Sequence, residues 1–150
     1  MSEKKKRPRI SQAPRNSQAD VAAEQAYAAA LAAAEASPAR AEAWDQAEEI
    51  AQRLQKPDDL AALYRQVINK PLDPAIREEV ARRAVSYHEE WFGDDVDALS
   101  ALLGRIVEMD PKAGWAFERL VMELTDARRW TDLLAFYDQG VAKGGFELGI

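Results

Sequence analysis

The residue best suited to acid–base chemistry near neutral pH is His88, the only histidine in the chain. Two carboxylates, Glu89 and Glu90, follow it directly, and Ser86 lies two residues before it. Residues two apart on a helix point to different sides, so Ser86 and His88 do not form a nucleophile–base pair. A histidine beside two carboxylates is typical of a solvated, slightly stabilised side chain. We therefore expect no catalysis at this position.

The acidic run at residues 94–97 suggests a calcium site, but its spacing does not fit one. An EF-hand loop needs glycine at its sixth position and glutamate at its twelfth, and counting from Asp94 those positions hold Leu99 and Arg105. We interpret Asp94 or Asp95 as a helix N-cap instead. Because the chain also lacks cysteine and any glycine-rich phosphate loop, we predict a protein that is not an enzyme and has neither metal nor cofactor.

The composition is that of a globular protein of one domain, with 150 residues of which 47% are hydrophobic. There is no run of 18 apolar residues and no secretory signal after the opening MSEKKKRPRI. We therefore expect a cytoplasmic protein without a membrane span.

The first 18 residues form a basic arm, with six cationic side chains, two prolines and one acidic residue. A segment with so few apolar side chains buries too little surface to offset its ordering entropy, so we predict that residues 1–18 are disordered. The arm could bind nucleic acid, approach an anionic membrane, act as a nuclear import signal, or be a solvated tail. Its densest cations are Lys4, Lys5, Lys6, Arg7 and Arg9. The rest of the chain is more acidic than the net charge of −6 indicates.

Apolar side chains recur at helical spacing through the remainder of the chain, most clearly in residues 110–143. We predict helices near 20–36, 40–55, 58–69, 74–92, 95–108, 112–127 and 131–142. The first is rich in alanine and should pack closely against the next helix through small side chains. Three cap–proline pairs recur, and we interpret each as an N-cap followed by proline at the first helical position. They are Ser37-Pro38, Asp73-Pro74 and Asp110-Pro111.

The prolines of these pairs lie 36 and 37 residues apart, a spacing typical of helical-repeat solenoids. The chain resembles the tetratricopeptide repeat (TPR) family in three units. PARAEAW, which ends at Trp44, is similar to the family's entry into its first helix, and Val80 and Phe117 take the same place in the next two units. Matching residues near the start of the second helices are Leu60, Leu99 and Leu133.

The resemblance implies an all-α, right-handed α-solenoid of antiparallel helical hairpins, with about three TPR-like units after a leading helix. This repeat domain would cover residues 19–143, and residues 144–150 would be a tail or the start of a further segment. The apolar last helix predicts either more repeats or self-association through that helix.

The resemblance also implies a concave groove, lined by first helices, that binds a peptide or helix of another protein. Asp45 and Glu49 would repel an acidic peptide, and the body is acidic, so we expect a partner with basic character. Trp115 would be an anchor for that peptide or would pack against the second helix of unit two, whereas Met122 is better explained by plain packing. The groove positions are Asp45, Glu49, Gln52, Arg82, Val85, His88, Trp115, Arg119 and Met122. The alternative is an RNA-associated assembly factor of half-TPR type that uses residues 1–18.

Overall fold

The computed structural model describes the backbone of residues 13–143 and the side chains of residues 18–138. In this part of the chain there are seven helices and no strand, which confirms the all-α prediction. They are α1 (Ala13–Ala36), α2 (Ala41–Leu54), α3 (Asp58–Ile68), α4 (Pro74–Phe92), α5 (Val96–Met109), α6 (Gly114–Asp126) and α7 (Trp130–Lys143).

The predicted helix bounds agree with the structure to within two residues for α2 to α7. The exception is the start of α1, which begins at Ala13 rather than near residue 20, so that residues 13–18 belong to a helix and not to the arm. The rest of the arm, including its five densest cations, and residues 144–150 lie outside the described part. What was predicted for them stays a prediction.

The chain divides into two compact units, Met1–Leu63 and Tyr64–Ile150, and the division falls within α3. In unit 1, α1 packs against α2. Ala30 and Ala34 of α1 are buried, as expected for a helix that packs through small side chains. The ring of Trp44 on α2 is also buried, and its Nε1 donates to the carbonyl of Pro38 at 2.9 Å.

The connection between α2 and α3 is closed by a tyrosine from α1. The hydroxyl of Tyr27 donates to the carbonyl of Lys56 at 2.6 Å and accepts from the amide of Leu60 at 3.2 Å. The Leu60 amide lies in the first turn of α3, where backbone donors have no partner within the helix. Tyr27 therefore satisfies a carbonyl in the connection between α2 and α3 and an amide in the first turn of α3.

Two of the three predicted cap–proline starts are wrong. Ser37 accepts from the amide of Arg40 at 3.0 Å through its carbonyl, and α2 begins only at Ala41. Proline at the second position of a four-residue turn is favoured because its fixed φ suits that position. The Ser37-Pro38 pair therefore makes a turn that precedes the helix.

The same arrangement is found at Asp110-Pro111. The Asp110 carbonyl accepts from the amide of Ala113 at 2.9 Å, and α6 begins at Gly114. Only α4 starts as predicted, with Asp73 at the N-cap and Pro74 in the first turn, although the Asp73 side chain makes no capping hydrogen bond. The N-cap prediction is confirmed for Asp95, whose carboxylate accepts from the amide of Ala98 at 3.0 Å.

In unit 2, α4 packs against α5, α5 against α6, and α6 against α7. α5 is the central element, and its apolar face is buried. Buried residues of that face are Leu99, Leu102, Leu103, Ile106 and Val107. The contact of α6 with α7 is aromatic, since the ring of Phe117 lies 5.5 Å from that of Phe136 and 5.8 Å from that of Tyr137.

One side chain of α4 binds both the end of α3 and the connection between the two helices. Arg77 of α4 donates through Nε to the carbonyl of Ile68 at 3.1 Å and through Nη2 to the carbonyl of Lys70 at 2.7 Å. These carbonyls lie at or just beyond the end of α3, where no helical amide is left to bind them.

None of the described helices has both the length and the apolar character needed to cross a membrane.

Candidate functional site

The groove residues of unit 2 lie on two helices, α4 and α6. On α4, the predicted residue Arg82 lies seven residues before Glu89, which was not among the predicted residues, and on α6 the predicted residues Trp115, Arg119 and Met122 follow at spacings of four and three. Both spacings keep side chains on one face of a helix. We call the surface formed by these five residues the α4/α6 surface.

The first contact across this surface joins Arg82 to Trp115. The guanidinium carbon of Arg82 lies 4.6 Å from the ring centroid of Trp115, within the range of a cation–π interaction. Nε of Arg82 also donates to Oε2 of Glu78, one turn earlier on α4, at 3.1 Å. The face of the indole is therefore covered by a cation that is held in place by an ion pair.

The second contact joins Arg119 to Glu89. Nη2 of Arg119 donates to Oε1 of Glu89 at 2.5 Å, and both side chains are partly exposed. This pair comes later than Arg82 and Trp115 on both helices, so the contacts follow the same order along α4 and α6. At this surface the long side chains of α4 and α6 therefore meet in the same chain direction.

An additional carboxylate, Glu123, lies beside the Arg119–Glu89 pair. Partial burial raises the pKa of Glu123 above its ordinary value, and the negative charges of Glu89 and Asp126 raise it further, while Arg119 acts in the opposite direction. Glu123 was not among the predicted residues, although its spacing of four residues from Arg119 was a usable signal. Negative charge is thus concentrated at this end of the α4/α6 surface.

Met122 is 55% exposed, so plain packing does not account for its side chain. The thioether is flexible and polarizable, and exposed methionines adapt their shape to partner surfaces. Among the predicted groove residues of unit 2, Met122 offers the most exposed apolar surface.

The expectation that His88 is solvated is wrong, because its side chain is only 2% exposed. The imidazole packs against the ring of Phe92 at 5.5 Å, and its Nε2 lies 3.3 Å from Nη1 of Arg65. Burial lowers the pKa of His88, and the charge of Arg65 lowers it further. Val85 is buried too, at 1% exposure. Neither side chain offers surface to a partner, so both are removed from the candidate site.

A pocket of about 210 Å³ opens beside Trp115, between the start of α4, the end of α5 and the start of α6. We call it the Trp115 pocket. Its apolar walls are Pro74, Ala81, Ile106, Met109, Ala113 and Trp115. Its charged residues are Arg77, Glu78 and Asp110. Nε1 of Trp115 is buried and has no hydrogen-bond acceptor among the described residues.

The remaining predicted groove residues belong to unit 1. Asp45, Glu49 and Gln52 are exposed at helical spacing on α2, away from the buried face that contains Trp44. Glu49 pairs with Arg53 one turn later, at 3.8 Å between two largely exposed side chains. Asp45 and Glu49 make this exposed face of α2 acidic.

Among the described side chains, those of residues 18–138, no three histidine or acidic groups are placed to hold one metal ion. The geometry of the α4/α6 surface, with an aromatic ring, paired ions, a thioether and a small pocket, is suited to non-covalent recognition.

No protein-family model, no curated protein and no solved structure matches this chain.

Proposed function

We propose that this chain is a TPR-like helical-repeat scaffold that binds a partner protein through the α4/α6 surface. The Arg82–Trp115 stack, with the exposed Met122 about two helical turns further along the same face of α6, is the observation that carries the proposal. Tryptophan and arginine are the residues most enriched among the energetic centres of protein interfaces, and here they meet on one surface. The proposed architecture is the right-handed stack of antiparallel helical hairpins described above.

The common direction of α4 and α6 supports that architecture. In a stack of helical hairpins, the first helices of successive units lie side by side and line one surface. The Arg82–Trp115 and Glu89–Arg119 contacts join α4 and α6 in the same order along both helices, as such a stack would require. The resemblance assigned these two helices to the first positions of successive units.

The size of the Trp115 pocket favours a protein partner over a small-molecule ligand. Pockets for small molecules and cofactors usually measure about 300–1,000 Å³, whereas this one measures about 210 Å³. It has room for one side chain. That is the kind of recess in which a peptide anchors a single residue.

The test is a crosslinking pull-down with the full chain, the Trp115→Ala variant and the Trp130→Ala variant. Trp130 is the matched control because it is an exposed tryptophan, at 54%, on α7. Loss of an interface centre costs about 2 kcal/mol or more, so we expect Trp115→Ala to lose most of the captured partner. Trp130→Ala should keep it, with equal helicity of both variants in far-ultraviolet circular dichroism. Equal recovery by both variants would remove the α4/α6 surface from the proposal.

A further inference from the structure

We propose that the Trp115 pocket takes one arginine or lysine side chain of the partner. This inference rests on the proposed function and specifies the chemistry that the partner must carry. The side chain would place its aliphatic stem against the apolar walls and its cationic head between Glu78 and Asp110.

The apolar part of the pocket suits the stem of a long side chain. Ile106 and Met109 from α5 lie on one side and Trp115 from α6 on the other. Lysine and arginine bury their methylene stems against apolar surface while the charged head stays near water. A shorter polar side chain would leave these walls in contact with water.

The charges of the pocket select a cation. Two of its charged residues, Glu78 and Asp110, are carboxylates, and one, Arg77, is a guanidinium. Arg77 keeps its positive charge, because its donors bind the neutral carbonyls of Ile68 and Lys70. Glu78 is also paired with Arg82 at 3.1 Å. The two carboxylates and one guanidinium of the lining still leave a net charge of −1, which an incoming cation would balance at the mouth of the pocket.

The indole of Trp115 gives a second recognition element. A buried N–H without an acceptor is less stable than one that is satisfied, and Nε1 of Trp115 is such a group. A carbonyl of the partner backbone next to the inserted side chain would supply the acceptor. The pocket would then read both a cation and the adjacent peptide group.

The experiment selects binders from a phage-displayed library of random dodecapeptides on the full chain and then titrates synthetic versions of the enriched peptides. The readouts are the dissociation constant and the NMR signal of the Trp115 indole N–H, assigned by its loss in Trp115→Phe. We expect enriched peptides to share an arginine or lysine and to shift that signal. Replacing this residue by citrulline or norleucine, which keep the length and remove the charge, should weaken binding roughly tenfold, as expected for two partly exposed ion pairs.

The protein side is tested with the Glu78→Gln/Asp110→Asn double variant. Its control is Glu79→Gln/Glu90→Gln, which makes the same change in net charge at two exposed positions of α4 outside the pocket. The pocket variant should also bind the charged peptide roughly tenfold more weakly. It should bind the charged and the neutral peptide equally well, because removing the carboxylates and removing the cation delete the same ion pairs. The control should bind like the unmodified chain. The peptide substitutions need no protein variant, so the test does not depend on whether the double variant folds.

Three results would overturn the inference or the proposal on which it rests. Enriched peptides that bind equally well without their cation would refute the cation assignment. Peptides that bind without moving the Trp115 signal would refute the pocket but leave a protein-binding scaffold in place. Failure to enrich any peptide, together with a failed pull-down, would count against the proposed function itself.

Discussion

Nη1 of Arg65 lies 3.3 Å from Nε2 of His88, although the imidazole is only 2% exposed. A guanidinium can only donate, so Nε2 must accept and His88 is neutral in this arrangement. Its proton is then on Nδ1, which has no hydrogen-bond partner among the described residues. Burial and the charge of Arg65 both lower the pKa of His88, while the carboxylate of Asp95 partly opposes them. The fold therefore favours the neutral form of His88.

The first prediction is a loss of stability in mild acid. The folded-state pKa of His88 lies below the ordinary value of 6.5, so the unfolded chain binds the proton more readily. Stability should be retained above about pH 6.5 and should fall as the pH drops from there toward the folded-state pKa. Urea unfolding at pH 7.5 and 5.5 measures this change. The variant His88→Gln should show a smaller dependence between the two pH values, and an identical decline in both proteins would disprove the assignment.

The second prediction concerns the hydroxyl of Tyr27. Tyr27→Phe removes both hydrogen bonds of that hydroxyl and leaves the amide of Leu60 without its acceptor. We expect the free energy of unfolding to fall by about 1–3 kcal/mol, measured by urea denaturation. Tyr137→Phe is the matched control, because Tyr137 contacts Phe117 and Phe136 through its ring. A Tyr27→Phe protein as stable as this control would contradict the closing role of the hydroxyl.

The third prediction tests the start of α5. Asp95→Ala removes the acceptor of the Ala98 amide and should destabilise the protein by about 1 kcal/mol, as losses of N-cap side chains do. Asp94→Ala changes the neighbouring exposed carboxylate, which is not the cap, and should leave stability nearly unchanged. Thermal unfolding of the two variants under the same conditions measures the difference. The assignment fails if Asp94→Ala is the more destabilising change.

The fourth prediction concerns the docking of α7 on α6. Phe117→Ala deletes the ring that contacts Phe136 and Tyr137. Because Phe117 is only partly buried, the cost should be below the 3–5 kcal/mol of a fully buried phenylalanine, at about 1–3 kcal/mol. Amide hydrogen exchange should become faster in residues 130–138 and stay unchanged in α2. Met122→Ala, an exposed change on the same helix, is the control and should leave the protection of α7 intact.

The helices were predictable because their signals are local. Apolar spacing and a nearby turn are both contained in a short stretch of sequence, and the bounds of α4 agree at both ends. The wrong starts at Ser37 and Asp110 have a local cause as well. Proline suits both the first turn of a helix and the second position of a β-turn, so the dipeptide alone does not distinguish them.

The environment of His88 was only partly predictable. Its position four residues after the buried Ala84 places it on the packed face of α4, and this periodicity was a better guide than the acidic neighbours Glu89 and Glu90. The contact with Arg65 was not predictable, since it joins residues 23 apart on different helices. The same reason applies to the Trp115 pocket. Its walls come from three helices, and no spacing within one helix indicates a recess between them.

Arg77 links the connection that precedes α4 to the shape of the Trp115 pocket. Its guanidinium binds the carbonyls of Ile68 and Lys70 and is at the same time part of the pocket lining. An insertion in residues 69–73 would move the carbonyl of Lys70 away from Arg77 and release that part of the guanidinium. Residues 69–73 themselves do not line the Trp115 pocket. A change in the length of this loop would therefore alter the lining of the Trp115 pocket from outside it, and loop variants are a route to change the binding proposed for that pocket without substituting its walls.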